Sequence, residues 1–202
     1  MRSRAATAIA CCICLVWAGA QTPAAQTSAV PFFIADGTGA RGFLSGDRQL
    51  ALWALDAWAR ASPDLRFEPS RENDAVVRLY WTEANDGLYG EMKPLIVAGR
   101  RGGAVFIQPD VNLLGDAISS RAREDALFRD TVVYLTCLHE IGHALGLTHT
   151  ADFRDIMYFF GFGGDIVDYF NRYRIQLRSR NDIVRVSGLS AADARRLAAA
   201  LQ

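Results

Sequence analysis

Residues 139–149 constrain this chain more than any other stretch, because they contain all three of its histidines. They read H-E-I-G-H-A-L-G-L-T-H. Residues four apart on an α-helix project from one face, so His139 and His143 can bind the same ion. Gly146 can adopt a positive φ that ends the helix and lets His149 approach that ion from another direction.

Three neutral imidazoles that leave a fourth position open form the ligand set of a catalytic zinc site. Glu140 lies roughly 100° round the helix from His139, beside the metal, where its carboxylate can act as general base on a zinc-bound water. Because zinc lowers the pKa of that water, the predicted reaction is hydrolysis of an amide, most simply a peptide bond. Single histidines are often structural, but five fixed positions in eleven residues favour catalysis.

The N-terminus is typical of a secretory signal peptide. Arg2 and Arg4 precede an apolar run over residues 5–18, and Ala18-Gly19-Ala20 matches a small-residue cleavage site. The alternative is a buried N-terminal helix. We expect a signal peptide at residues 1–20, a leader at residues 21–29 and one domain, secreted or periplasmic, at residues 30–202.

Composition narrows the range of partners. The 202 residues carry 22 basic and 22 acidic side chains without a basic cluster, so a nucleic-acid partner is not expected. No apolar run is long enough to predict a transmembrane helix. Three of the four cysteines lie in the N-terminal apolar run; the fourth, Cys137, should face the core rather than the metal, because it precedes His139 by two helical positions.

Apolar spacing and turn residues predict the elements that carry these groups. The predicted helices lie at residues 47–61, from about residue 130 to Gly146, and from Leu189 onward, where an S-x-x-D capping box stands at residues 190–193. The side chains of Ile166, Tyr169, Phe170 and Tyr173 have the spacing of an additional amphipathic helix. Strands are predicted at residues 75–81, 95–98 and 104–107, and a turn at residues 85–87.

The histidine motif followed by Asp155-Ile156-Met157-Tyr158 resembles the metzincin clan of zinc endopeptidases, and within it the matrixins. The resemblance implies an α+β, zincin-like fold: a mixed, twisted β-sheet packed on an N-terminal helix and an active-site helix, with a C-terminal helix. It also implies a protein or peptide substrate that lies extended along an antiparallel edge strand near residues 91–98. Met157 would form a hydrophobic floor under the zinc ligands, and Tyr158 would border the substrate pocket.

The sequence constrains additional metal sites and the substrate preference less than it constrains the catalytic zinc site. All three histidines are used, so a second zinc bound by histidines is excluded. Calcium remains possible near Asp86 or Asp110, although solvated loop acids are the alternative. Phe159-Phe160 stand where matrixins commonly have proline, and the segment over residues 159–188 is long, so the family's substrate preference cannot be transferred.

A second hypothesis belongs to another functional class. The same zinc ligands could stabilise a non-catalytic module that holds a peptide in the same cleft without cutting it. A protein that has abandoned hydrolysis has no need of Glu140, and Glu140 is present, so the sequence favours a zinc endopeptidase.

Overall fold

The computed structural model of the protein describes residues 29–82 and 88–202. The predicted signal peptide, all of the leader except Ala29, the turn at residues 85–87 and the calcium candidate Asp86 lie outside the described residues, so these stay predictions. Among the helices of residues 29–82 and 88–202, none combines the length and the apolar content needed to cross a membrane.

Five strands of the described chain form one mixed sheet. They are β1 (Val30–Ile34), β2 (Phe67–Pro69), β3 (Val77–Trp81), β4 (Gly90–Val97) and β5 (Arg100–Ile107). Their order across the sheet is β2-β1-β3-β5-β4, with every pair parallel except the hairpin of β4 and β5. The predicted antiparallel edge strand near residues 91–98 is therefore confirmed as β4.

Five α-helices accompany this sheet within the described ranges. They are α1 (Asp47–Ala61), α2 (Asp116–Glu124), α3 (Ala126–Ala144), α4 (Ile166–Arg174) and α5 (Ala191–Ala200). Alternate residues of β3, namely Val77, Leu79 and Trp81, are buried in the core that the sheet shares with α1 and α3. The α+β class that the resemblance implied is confirmed.

Helix α1 has the predicted bounds, and it fixes the position of α3. Its stripe of Leu50, Ala54, Ala57 and Trp58 is buried. The Trp58 indole Nε1 donates a hydrogen bond to the carbonyl oxygen of Leu138 in α3, at 2.9 Å. This bond ties α1 to α3 one residue before the first histidine of the motif.

Helix α3 runs through the centre of the core and begins at Ala126, earlier than the predicted start near residue 130. The reason is the N-cap Asp125, whose carboxylate accepts hydrogen bonds from the backbone nitrogens of Leu127 and Phe128, at 3.0 and 3.1 Å. Cys137 is fully buried in this helix, as predicted.

The two C-terminal helices were both predicted and both are present. In α5, the Ser190 hydroxyl accepts from the Asp193 nitrogen, and the Asp193 carboxylate accepts from the Ser190 nitrogen, which completes the capping box. In α4, the aromatic side chains of Tyr169, Phe170 and Tyr173 are buried, as the spacing indicated.

The strand predictions need correction. The predicted strand at residues 75–81 begins at Val77, and those at 95–98 and 104–107 are parts of the longer β4 and β5. These two extend because they pair in register from Gly90 with Ile107 to Val97 with Arg100. The sequence patterns missed β1, β2 and α2.

Candidate metal centre and its cleft

The structure brings the three predicted ligands together at the end of α3. The Nε2 atom of His143 lies 3.1 Å from that of His139 and 3.1 Å from that of His149, and the third side of the triangle measures 3.3 Å. Gly146 makes this possible with a φ of +95°, which turns the chain after α3 and returns His149 towards the helix.

Backbone carbonyl groups fix the protonation of two of these rings. Nδ1 of His139 donates to the Ile156 carbonyl oxygen at 2.7 Å, and Nδ1 of His143 donates to the Leu147 carbonyl oxygen at 2.8 Å. Because a carbonyl oxygen only accepts, each Nδ1 carries the ring proton and each Nε2 keeps a lone pair. The short contact between those two Nε2 atoms is therefore not a hydrogen bond.

The triangle of nitrogens fits a zinc ion. A tetrahedral zinc with Zn–N bonds of about 2.0–2.1 Å separates its ligand nitrogens by roughly 3.3 Å. Burial lowers the pKa of His139 to about 4, and it also lowers the pKa of His143 and His149, so neutral rings are available near neutral pH. In residues 29–82 and 88–202, no other group of three histidine, cysteine or acidic side chains converges in this way.

Glu140 lies beside the histidines and under strand β4. Its side chain is 8% exposed, and burial, with a smaller contribution from the Glu91 charge, raises the pKa of its carboxyl to about 8. Gly90 of β4 leaves room for it, since a Cβ there would lie 2.8 Å from Glu140 Cγ and 2.9 Å from Thr136 Cγ2. A cation bound at the histidines would favour the ionised form of this carboxyl.

Met157 and Tyr158 follow a turn that packs against α3. Met157 is fully buried, and its sulfur lies so near Gly142 that a Cβ on that glycine would be 2.5 Å from it. The turn is held at Ile156, whose nitrogen donates to Asp193 of α5 at 2.9 Å. The Tyr158 hydroxyl donates to the Gly163 carbonyl oxygen at 2.6 Å.

No curated protein matches the sequence. The family described as Matrixin matches residues 46–162, more than half of the chain and a segment that includes all three histidines. The chain belongs to the matrixin family. The predicted metzincin resemblance is thereby confirmed, and the protein is in general terms a zinc metalloendopeptidase, a hydrolase that acts on peptides.

The solved structure of myroilysin is also similar to this matrixin. Its sequence identity is 14%, its TM-score is 0.37, and the match covers 83% of this chain and 71% of that chain.

A cavity of about 600 Å³ opens beside the histidines of this matrixin. Its wall is mostly apolar and combines side chains from the β4 region, α3, the segment after Met157, and α4. The main apolar lining residues are Leu88, Tyr89, Leu135, Tyr158, Phe159, Phe160, Ile166, Tyr169 and Phe170. Tyr158, expected to border the substrate pocket, is among them.

The edge of β4 that does not pair with β5 is its free edge, and it passes Glu140. Not every residue that faces this edge offers both a backbone N–H and a backbone C=O. Because Gln108 N donates to the Tyr89 carbonyl oxygen at 3.0 Å, alternate residues from Tyr89 onward face β5. Gly90, Met92 and Ile96 therefore present both N–H and C=O to the free edge. Pro94 has no N–H and presents only its carbonyl oxygen.

Sequence reasoning missed several residues that shape the matrixin site. The Phe159 ring stacks on His149, with ring centroids 4.8 Å apart and an interplanar angle of 24°. Gly90 and Thr136 border Glu140. A glycine at the start of a strand is a weak signal of close packing, and nothing in the sequence shows which ring a phenylalanine will meet.

Proposed function

We propose that this matrixin is a secreted zinc-dependent endopeptidase in which His139, His143 and His149 hold one zinc ion and Glu140 moves the protons of the reaction. The observation that carries the proposal is the convergence of three Nε2 atoms, 3.1–3.3 Å apart, beside a buried carboxyl group in an open cleft. The chemistry of the donor set supports it, because neutral imidazoles are common zinc ligands.

When bound, zinc acts as a Lewis acid that lowers the pKa of a water molecule and polarises a carbonyl group. The carboxylate of Glu140 takes a proton from the attacking water and later gives it to the departing amine. Its burial keeps competing water away from that proton transfer. The carbonyl groups of Ile156 and Leu147 keep the His139 and His143 rings oriented throughout.

The substrate is an extended peptide that pairs with the free edge of β4. Gly90, which borders Glu140, and Met92, two residues further along the free edge, supply backbone donors and acceptors to the peptide. An apolar side chain of the peptide enters the cavity, whose wall includes Tyr158 and Leu135. Met157 supports the zinc ligands from within the core and does not bind metal.

A calcium role for Asp110 has little support. One of its carboxylate oxygens lies 2.9 Å from Arg41 Nε, and the other accepts from the backbone and the side chain of Asn112, at 3.1 and 2.8 Å. Both oxygens are already engaged, which favours a structural function for this acid.

The proposed domain spans residues 30–202, with removal of residues 1–20 on export to the periplasm or beyond the cell. The basic residues, apolar run and small-residue site of the N-terminus support this localisation. Mass spectrometry of the protein recovered from the medium and the periplasm would test it, and an intact Met1 in the mature protein would contradict it.

Replacing Glu140 by alanine tests the enzymatic function. The purified domain is incubated with a mixed peptide library, with and without chelator. Glu140→Ala should retain stoichiometric zinc and lose about 10²–10⁴-fold in cleavage rate, whereas Glu124→Ala, an exposed acid at the end of α2, should behave as wild type. Zinc and peptide binding without any cleavage by the wild type would instead support the non-catalytic module.

A further inference from the structure

The hydroxyl group of Tyr169 reaches the turn that orients the first zinc ligand. Its oxygen lies 3.2 Å from the carbonyl oxygen of Ile156 and 3.2 Å from that of Asp155, so its single proton is shared between them in a bifurcated hydrogen bond. The Ile156 oxygen also accepts the Nδ1 proton of His139, at 2.7 Å. One backbone oxygen thus joins α4 to the proposed metal centre.

This connection comes from a part of the chain beyond the family match. The match ends at residue 162, and α4 begins at Ile166. Tyr169 is 3% exposed, and its ring packs against the rings of Phe153, Phe160 and Phe170, with centroids 4.9–5.5 Å apart. These contacts hold the ring in place, and they keep its hydroxyl oxygen next to the turn and away from water.

Both backbone polar groups of Ile156 are held by hydrogen bonds. Its N–H group donates to Asp193 at 2.9 Å, and its carbonyl oxygen accepts from His139 and Tyr169. Because the direction of the C=O bond sets the direction of the His139 ring, a change in the hydrogen bonding of this oxygen alters the position of Nε2.

We infer that Tyr169 is a positioning residue, which orients His139 through the Ile156 carbonyl group and thereby tightens the binding of the metal. The inference rests on the proposed zinc site. It gives α4 a function beyond lining the cavity, since the helix that forms one wall of the cleft also holds a ligand of the metal.

The test compares Tyr169→Phe with Tyr173→Phe. Both remove one buried hydroxyl from α4, but the Tyr173 hydroxyl donates to the Val186 carbonyl oxygen at 2.5 Å and its ring stacks on Tyr134, away from Ile156. Zinc affinity is measured by competition with a chromophoric chelator, and the visible absorption of the cobalt-loaded protein reports the ligand geometry. Thermal unfolding of the metal-free proteins measures the structural cost.

Tyr169→Phe should bind zinc about tenfold more weakly and show a shifted cobalt spectrum. Tyr173→Phe should keep the wild-type affinity and spectrum at a comparable loss of melting temperature. Wild-type affinity in Tyr169→Phe, or equal losses in both variants, would overturn the inference and leave the zinc site standing. Failure of the wild type to bind either metal would overturn both.

Discussion

Replacing Gly90 by alanine tests how closely β4 approaches Glu140. The new Cβ would lie 2.8 Å from Glu140 Cγ, 2.9 Å from Thr136 Cγ2 and 3.1 Å from the Phe106 carbonyl oxygen. Non-bonded carbon atoms prefer separations of about 3.5–4.0 Å. The strand or the Glu140 side chain must therefore move by roughly 0.7–1.2 Å to accommodate a single methyl group.

The expected loss follows from that displacement. A misplacement of about 1 Å in a reacting group can lower the rate by about 10²-fold, which corresponds to about 2.7 kcal/mol in the activation free energy. The overpacking should also lower the free energy of unfolding by about 1–3 kcal/mol. Zinc affinity should not change, because the clashing atoms do not belong to the histidines.

The assay measures kcat/KM on the best peptide from the library, with zinc affinity and urea unfolding measured in parallel. Gly46→Ala is the control, since its Cβ would lie 2.7 Å from Nη2 of the flexible Arg180 side chain, and neither residue lines the cleft. It should keep most of the activity whatever stability it loses. Wild-type kcat/KM in Gly90→Ala would refute the argument that β4 holds Glu140 in place, and so would a loss of zinc.

Other predictions concern buried polar groups. Arg129→Met should lower the free energy of unfolding by about 3–5 kcal/mol, because it leaves the fully buried Asp47 without its ion partner. Urea unfolding measures this loss, and a value below about 1 kcal/mol would contradict the prediction. Burial raises the pKa of Asp155, but hydrogen bonds and the Arg196 charge outweigh it, so the net pKa is lowered. Its stabilisation is thus fully present above the unfolded pKa of about 4 and is lost as pH falls through the folded value. The stability difference between wild type and Asp155→Asn should accordingly shrink in acid unfolding curves, and a constant difference would be inconsistent with it. Cys137 is buried, and this burial also raises the pKa of its thiol. A thiol reagent at neutral pH should therefore label Cys137 only when the protein unfolds. Rapid labelling of the folded protein would show that the thiol is accessible.

The parts of the site that lie close together in the chain were predictable from the sequence. His139, His143 and His149 fall within eleven residues, and helical geometry with one glycine turn is enough to bring them together. Helix α1 was predicted with its bounds because its apolar stripe is regular, and α5 because both halves of its capping box are in the sequence.

The parts that depend on distant pairing were not predictable. Gly90 reaches Glu140 only because β4 pairs with β5 across the top of α3, and Tyr169 reaches Ile156 only because α4 folds back onto that turn. Strand β2 has three residues and α2 is largely polar, so neither has a pattern strong enough to be recognised. Periodicity describes one element at a time, whereas these contacts depend on how elements meet.

Pro94 has a consequence for the behaviour of the protein in solution. An exposed strand is a template on which a second chain can add, and continued addition leads to aggregation. A chain that pairs with β4 meets a backbone N–H at Gly90 and at Met92, but none at Pro94. The ladder of hydrogen bonds is therefore interrupted after a few residues. The same edge can therefore hold a short guest for the time of a reaction and still resist the growth of an intermolecular sheet.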